Sequence, residues 1–199
     1  MWLAPAPVVI APVVMVSDPA RLGPTLVKVL LPLATIAAAL VAAHRLRLGW
    51  RAGVGLRRPP AAAAVLWFAA YVLWMLGTNA WMGWRGPWDF APWARTPLPV
   101  AMLRVLAVGI LGPIAEELLV RGVFYGRLVR TRLGATRAGV AVIVALLAAG
   151  WAIAHTAYTP GVIGVIFVAG LLLGAARAHT GSVVVPMVMH VAWNLYAVW

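Results

Sequence analysis

From Leu22 onward the chain is a succession of long apolar stretches broken by short loops, and that pattern leaves few folds open. In lipid every backbone N–H and C=O must find its partner inside the protein, so only helices and closed barrels cross a bilayer. A helix needs about 20 apolar residues to span the hydrocarbon core. Stretches near that length lie at roughly 22–43, 61–83, 98–120, 138–157, 161–177 and 183–199. They predict an all-α, polytopic transmembrane bundle of six spans, the last two short enough to need tilt or local thinning. Residues 2–16 are apolar but short and carry Pro5, Pro7 and Pro12, and no positively charged residue precedes Arg21 as it would in a signal peptide. They predict an interfacial or re-entrant element, with a seventh helix as the alternative.

A formal net charge of +12 raises the question of a nucleic-acid partner. The placement of the arginines argues against one, because they cluster between apolar stretches as cytoplasmic loop arginines do. Arg45, Arg47, Arg51, Arg57 and Arg58 follow the first stretch, Arg121, Arg127, Arg130, Arg132 and Arg137 the third, and Arg177 the fifth. The opposite side carries Arg21, Arg85 and Arg95, so the balance is eleven against three. The arginine-rich loops are therefore predicted to be cytoplasmic. Trp81, Trp84, Trp88 and Trp93 crowd an outer loop, as an aromatic belt would. One lysine stands against fifteen arginines, a bias typical of GC-rich bacterial coding, which points to a bacterial inner membrane. Cysteine is absent, so disulfides are excluded.

The chain has four acidic residues, and two of them, Glu116 and Glu117, are adjacent inside the third apolar stretch. An ionisable group at membrane depth is costly and reads as functional, with a partner to be named. Residues four apart on a helix share a face, so Glu117 can pair with Arg121, while Glu116 is turned about 100° away. Pro113 lies just before them and would free a backbone carbonyl nearby. The same spacing joins Trp151 to His155 and His190 to Asn194 on two further stretches. Counting from a turn near Gly134, Glu116 and His155 lie about 27 and 31 Å away along helices. His190 lies about 14 Å beyond Gly181. The depths agree if the loop from Arg127 to Arg137 protrudes.

Such a cluster suits water activation. A carboxylate removed from water holds a proton more tightly and becomes a competent base near neutral pH. A histidine beside it can orient the water or carry the proton. A second histidine and an asparagine amide can donate to a developing oxyanion. The chemistry is peptide hydrolysis without a covalent intermediate, since no cysteine and no Gly-x-Ser-x-Gly elbow is present.

These residues resemble the CAAX protease and bacteriocin-processing (CPBP, or Abi) family of intramembrane glutamic endopeptidases, which includes the eukaryotic type II CAAX prenyl endopeptidases. Its first motif is matched by Glu116-Glu117-Leu-Leu-Val-Arg121-Gly122. The second is matched by Trp151-Ala-Ile-Ala-His155, with Trp where the family has Phe, and the third by His190-Val-Ala-Trp-Asn194. Gly170-Leu-Leu-Leu-Gly174 and Thr180-Gly181-Ser182 look like the approach to the third motif, and Gly55-Leu56-Arg57-Arg58 is a stretch such proteins often carry. The resemblance implies that Glu116 and His155 activate water, that His190 and Asn194 form the oxyanion site, and that Glu117, Arg121 and Trp151 support them. It also implies a catalytic core at 98–199 and accessory helices at 1–97 within one membrane domain, no cofactor, and a membrane-associated peptide or protein as substrate.

Other readings remain beside this one. Glu116, His155 and His190 could supply a two-histidine, one-carboxylate zinc site, although no His-Glu-x-x-His is present. A bacteriocin-immunity protein or membrane scaffold would use the same polar groups as helix glue. A proton-coupled transporter would be expected to show internal repeats, and none stands out. His44 and His179 are assigned to the interface, Gly170 and Gly174 to close helix packing, and Arg104 to snorkelling or pairing with a buried acid.

Overall fold

The computed structural model describes residues 22–83 and 96–197. The element predicted at 2–16, Arg21, Arg85 and Arg95, the belt residues Trp84, Trp88 and Trp93, and the last two residues of the final stretch lie outside them. Among the described residues the fold is all-helical. α1 is Leu22–Arg45, α2 Ala61–Met82, α3 Leu98–Leu128, α4 Arg137–Ile153, α5 Pro160–Thr180 and α6 Val184–Ala197. α1, α2, α3 and α5 are long and apolar enough to cross a membrane, while α4 and α6 are shorter apolar helices. α1 and α2 expose large apolar side chains such as Leu30, Leu31, Val65 and Leu73, as surfaces facing lipid do.

Local chemistry sets the boundaries. The Thr136 hydroxyl accepts from the Gly139 N–H at 3.0 Å and caps the start of α4. Pro160 opens α5 and holds Thr159 extended. α4 ends at Ile153, and His155 stands in the turn just past it rather than on the predicted helix. α5 runs on to Thr180 and is longer than predicted; Gly181 at φ 69° ends it in the left-handed region. The Ser182 hydroxyl then accepts from the Val184 N–H at the start of α6.

α3 also exceeds its prediction. It continues past residue 120 because Arg121 is neutralised inside the bundle by Glu117. Arg121 and Arg177 both lie within helices and are buried, so neither is the loop arginine it was predicted to be. Two π-helical segments, Val105–Leu111 and Leu118–Phe124, flank the turn that carries the acids. Extra-residue turns of this kind re-aim side chains and recur at functional sites.

α3 lies against α1 on one side and α6 on another, while α2 packs on α5 and α6. α4 and α5 lie against each other along their length. Their closeness comes from Gly170, where a Cβ would meet Ala148 at 2.9 Å, and Gly174, where it would meet Val144 at 2.6 Å. This is the small-residue packing predicted for that stretch. The largest core cluster joins Tyr71 of α2, Trp151 of α4, Leu173 of α5 and Met189 of α6.

The loop between α1 and α2 is fixed to the rest of the bundle. Gly55 sits at φ 84°, and a Cβ there would lie 2.6 Å from the Arg177 guanidinium. That guanidinium is not free to yield, since it donates to the Arg121 carbonyl at 3.0 Å and to the Gly53 carbonyl at 2.9 Å. Gly55→Ala combines left-handed strain of about 1–3 kcal/mol with loss of these contacts. Its apparent melting temperature in detergent is expected to fall clearly. Gly49→Ala, at a position with nothing within 4 Å of an added Cβ, serves as the control and is expected to melt near the wild type.

Candidate active site

Three motifs from three helices meet in two layers. The inner layer is buried. Glu117 is fully buried, and its Oε1 accepts from Arg121 Nη1 at 2.8 Å and from His190 Nδ1 at 3.0 Å. Arg121 also donates to the Gly170 carbonyl at 3.2 Å and lies over the Trp151 ring, 4.7 Å from its centroid. One orphan remains, because Glu117 Oε2 is buried without a hydrogen-bond partner.

The outer layer is half-buried and can reach water. Glu116 Oε2 accepts from the Trp151 indole N–H at 2.6 Å. His155 Nδ1 lies 2.7 Å from the Trp151 carbonyl. A carbonyl can only accept, so Nδ1 carries the hydrogen and the neutral ring keeps its lone pair on Nε2. Trp151 thus holds Glu116 with its side chain and His155 with its backbone. Its ring meets those of His155 and His190 edge-on at centroid distances of 5.1 and 5.2 Å.

Asn194 has a place that the sequence partly foretold. In the π-helical register the Gly112 N–H bonds the Ala107 carbonyl, five residues back. The next residue, Pro113, has no N–H, so the Val108 carbonyl loses its helical donor. Asn194 Nδ2 donates to that carbonyl at 2.9 Å. One amide hydrogen is spent there and a second remains.

The structure therefore brings Glu116, Glu117, Arg121, Trp151, His155 and His190 together, with Asn194 one turn beyond His190 on α6. The depth condition is met differently from the prediction. The residues around Arg127 are an extension of α3 to Leu128, which sets Glu117 about 17 Å from the helix end. Arg104 is buried rather than snorkelling. Exposed His179 accepts from the Trp67 indole N–H at 2.9 Å. Among the described residues no three His, Asp or Glu side chains gather as a metal-holding group, and His190 is turned to Glu117.

Sequence reasoning missed Tyr158 and Tyr71. Tyr158 lies in the loop after α4, its ring 6.0 Å from that of His155. Burial, and then the Glu116 carboxylate, push its phenol up, so it stays protonated as a donor near the acid. Its spacing of three from His155 was the available signal. Tyr71 of α2 is buried within electrostatic reach of Glu117 and Arg121, and nothing in the sequence singled it out.

Comparison with curated proteins and with solved structures gives no match. A family model does match, over residues 98–196, which contain all three motifs. The chain belongs, through that segment, to the type II CAAX prenyl endopeptidase Rce1-like family.

Proposed function

We propose that this member of a family of CAAX-type intramembrane proteases hydrolyses a peptide bond of a membrane-associated protein or peptide with water activated by Glu116 and His155. The observation that carries the reading is the double hold of Trp151, whose indole N–H fixes Glu116 and whose carbonyl fixes His155. Glu116 takes a proton from water as the water oxygen bonds to the scissile carbonyl carbon. His155, with Nε2 unprotonated, accepts a hydrogen bond from the same water or relays its proton. His190 and the remaining Asn194 hydrogen receive the developing oxyanion. With Nδ1–H spent on Glu117, His190 can donate from Nε2 only as imidazolium, and the adjacent carboxylate supplies the countercharge. Collapse of the oxyanion breaks the C–N bond, and the proton passes to the leaving amine.

No cofactor is required by this scheme. We place the chain in a bacterial inner membrane with its arginine-bearing loops cytoplasmic. Support comes from contacts that gather those segments at one end of the bundle, including Arg130 to the Arg47 carbonyl and Ser182 to the Arg57 carbonyl. The substrate segment would enter from that face or from within the bilayer.

Membrane and secreted proteomes of host cells carrying wild-type protein or Glu116→Gln, at matched expression, test the activity. A precursor lacking its mature terminus is expected to accumulate in the variant. Unchanged proteomes alongside a phenotype on full deletion would leave an immunity or scaffold protein instead.

Trp151→Phe removes the N–H to Glu116 and keeps most of the ring. A hydrogen bond to a charged group contributes about 1.5–3 kcal/mol. The expected result is a kcat lower by about 10–100-fold with KM nearly unchanged, and a melting temperature lowered by the smaller core ring while the protein stays folded. A wild-type kcat would show that the tether does not position the base.

A further inference from the structure

The Gly55-Leu56-Arg57-Arg58 stretch takes no part in the chemistry described above, yet it is held firmly. The Val183 N–H donates to the Gly55 carbonyl at 2.9 Å, and the Ser182 hydroxyl donates to the Arg57 carbonyl at 2.6 Å. Between this loop and the start of α6 lies an open pocket of about 600 Å³, lined by Arg51, Leu56, Arg57, Arg58, Pro59 and Val184. The three guanidiniums have no carboxylate beside them among the described residues, since Glu116 is held by Trp151 and Glu117 by Arg121 and His190. Arg57 also lies within electrostatic reach of buried Arg177, a like charge. Rigidly placed cations without counter-charges favour an anion.

A second observation fixes the kind of anion. Leu56 also lines a neighbouring groove of about 470 Å³, whose other walls include Leu40, Val41 and Trp50, with His44 and Arg45 near its head. Val41 is 53% exposed and Trp50 44%. A basic pocket that shares a wall with an apolar groove on a lipid-facing helix has the shape of an amphiphile. We propose that this surface binds an anionic phospholipid, its phosphate headgroup among Arg51, Arg57 and Arg58 and one acyl chain along the Leu40–Val41 face of α1. The bound lipid would brace the loop that Arg177 connects to the Arg121 carbonyl of the active-site helix.

The test uses the full chain purified in detergent and follows its apparent melting temperature during titration with dioleoyl phosphatidylglycerol, dioleoyl phosphatidylcholine or inorganic phosphate. Phosphatidylglycerol is expected to raise the melting temperature saturably, phosphatidylcholine to do little, and phosphate to do little at matched concentration. Each arginine near a charged headgroup is worth about fivefold in affinity, so Arg57→Gln with Arg58→Gln should weaken the phosphatidylglycerol response by about 25-fold. That pair of changes leaves the Arg57 carbonyl bond to Ser182 intact. Should it fail to fold, Arg51→Gln alone, at an exposed side chain, is expected to weaken the response by about fivefold. Equal responses to the two lipids, or a phosphatidylglycerol response that survives these changes, would overturn the site. An equal response to inorganic phosphate would overturn the lipid and leave a free-anion pocket.

Discussion

Glu116→Gln is expected to lower kcat of the purified protein by about 10²–10⁴-fold while leaving its melting temperature unchanged, because the substitution removes basicity and nothing else. The glutamine carbonyl can still accept from the Trp151 indole N–H that now binds Oε2 at 2.6 Å. Glu116 is half-buried, so the neutral amide meets water as readily as the acid does. The measurement is single-turnover cleavage of a membrane-bound peptide, run beside a thermal melt of the same preparation. His155→Gln should fall in the same range, since it removes the Nε2 lone pair. Retention of more than about a tenth of wild-type kcat by Glu116→Gln would sink the general-base assignment. A loss of activity that tracks a loss of folding would make Glu116 a structural residue. A turnover that survives in EDTA and collapses in Glu116→Gln would favour the metal-free scheme over the zinc alternative.

The helical bundle was legible because lipid permits so few answers: six apolar stretches became six helices with boundaries mostly within a few residues. The overruns have physical causes. α3 overran its predicted end because hydropathy treats Arg121 as a stop, whereas a buried Glu117 turns it into part of the core. Arg177 escaped for the same reason, its charge being absorbed by backbone carbonyls rather than by water. α4 ended at Ile153, short of its predicted end, and His155 kept its contact with the Trp151 carbonyl from the turn that follows. At the candidate site the one-dimensional spacing anticipated the neighbours Glu117–Arg121 on a helix and Trp151–His155 across the helix end. It could not say that His190 faces Glu117 rather than Glu116. That depends on the two π-helical segments, which shift the register around Glu116 and Glu117, and periodicity at 3.6 residues has no means to register them. Tyr71 stayed invisible because its role is set by contacts between α2 and α6, far apart in sequence.

The buried pair of Glu117 and Arg121 should produce the largest effects on folding. Removing either partner leaves a charge in a site that is 0–1% exposed, and breaking a buried pair in this way costs about 3–5 kcal/mol. Arg121→Ala strands Glu117 with His190 as its one remaining donor, and Oε2 already has none. Glu117→Ala strands Arg121 with the Gly170 carbonyl and the Trp151 ring, and frees His190 from its acceptor. Glu117→Leu together with Arg121→Met removes both charges and restores apolar volume. It is expected to recover most of the stability, because well-packed apolar replacements of a buried pair are often neutral or better. Activity should not return with it, since His190 then has no carboxylate to orient Nδ1. Unfolding in mixed micelles, for the two single variants and the double replacement, measures the difference. Single variants that cost less than about 1 kcal/mol would mean that water reaches the pair, at the value of an exposed bridge. Recovery of cleavage by the apolar double variant would remove Glu117 from the support of His190 and leave Arg121 and Glu117 as a purely structural bond between α3 and the α4–α5 pair.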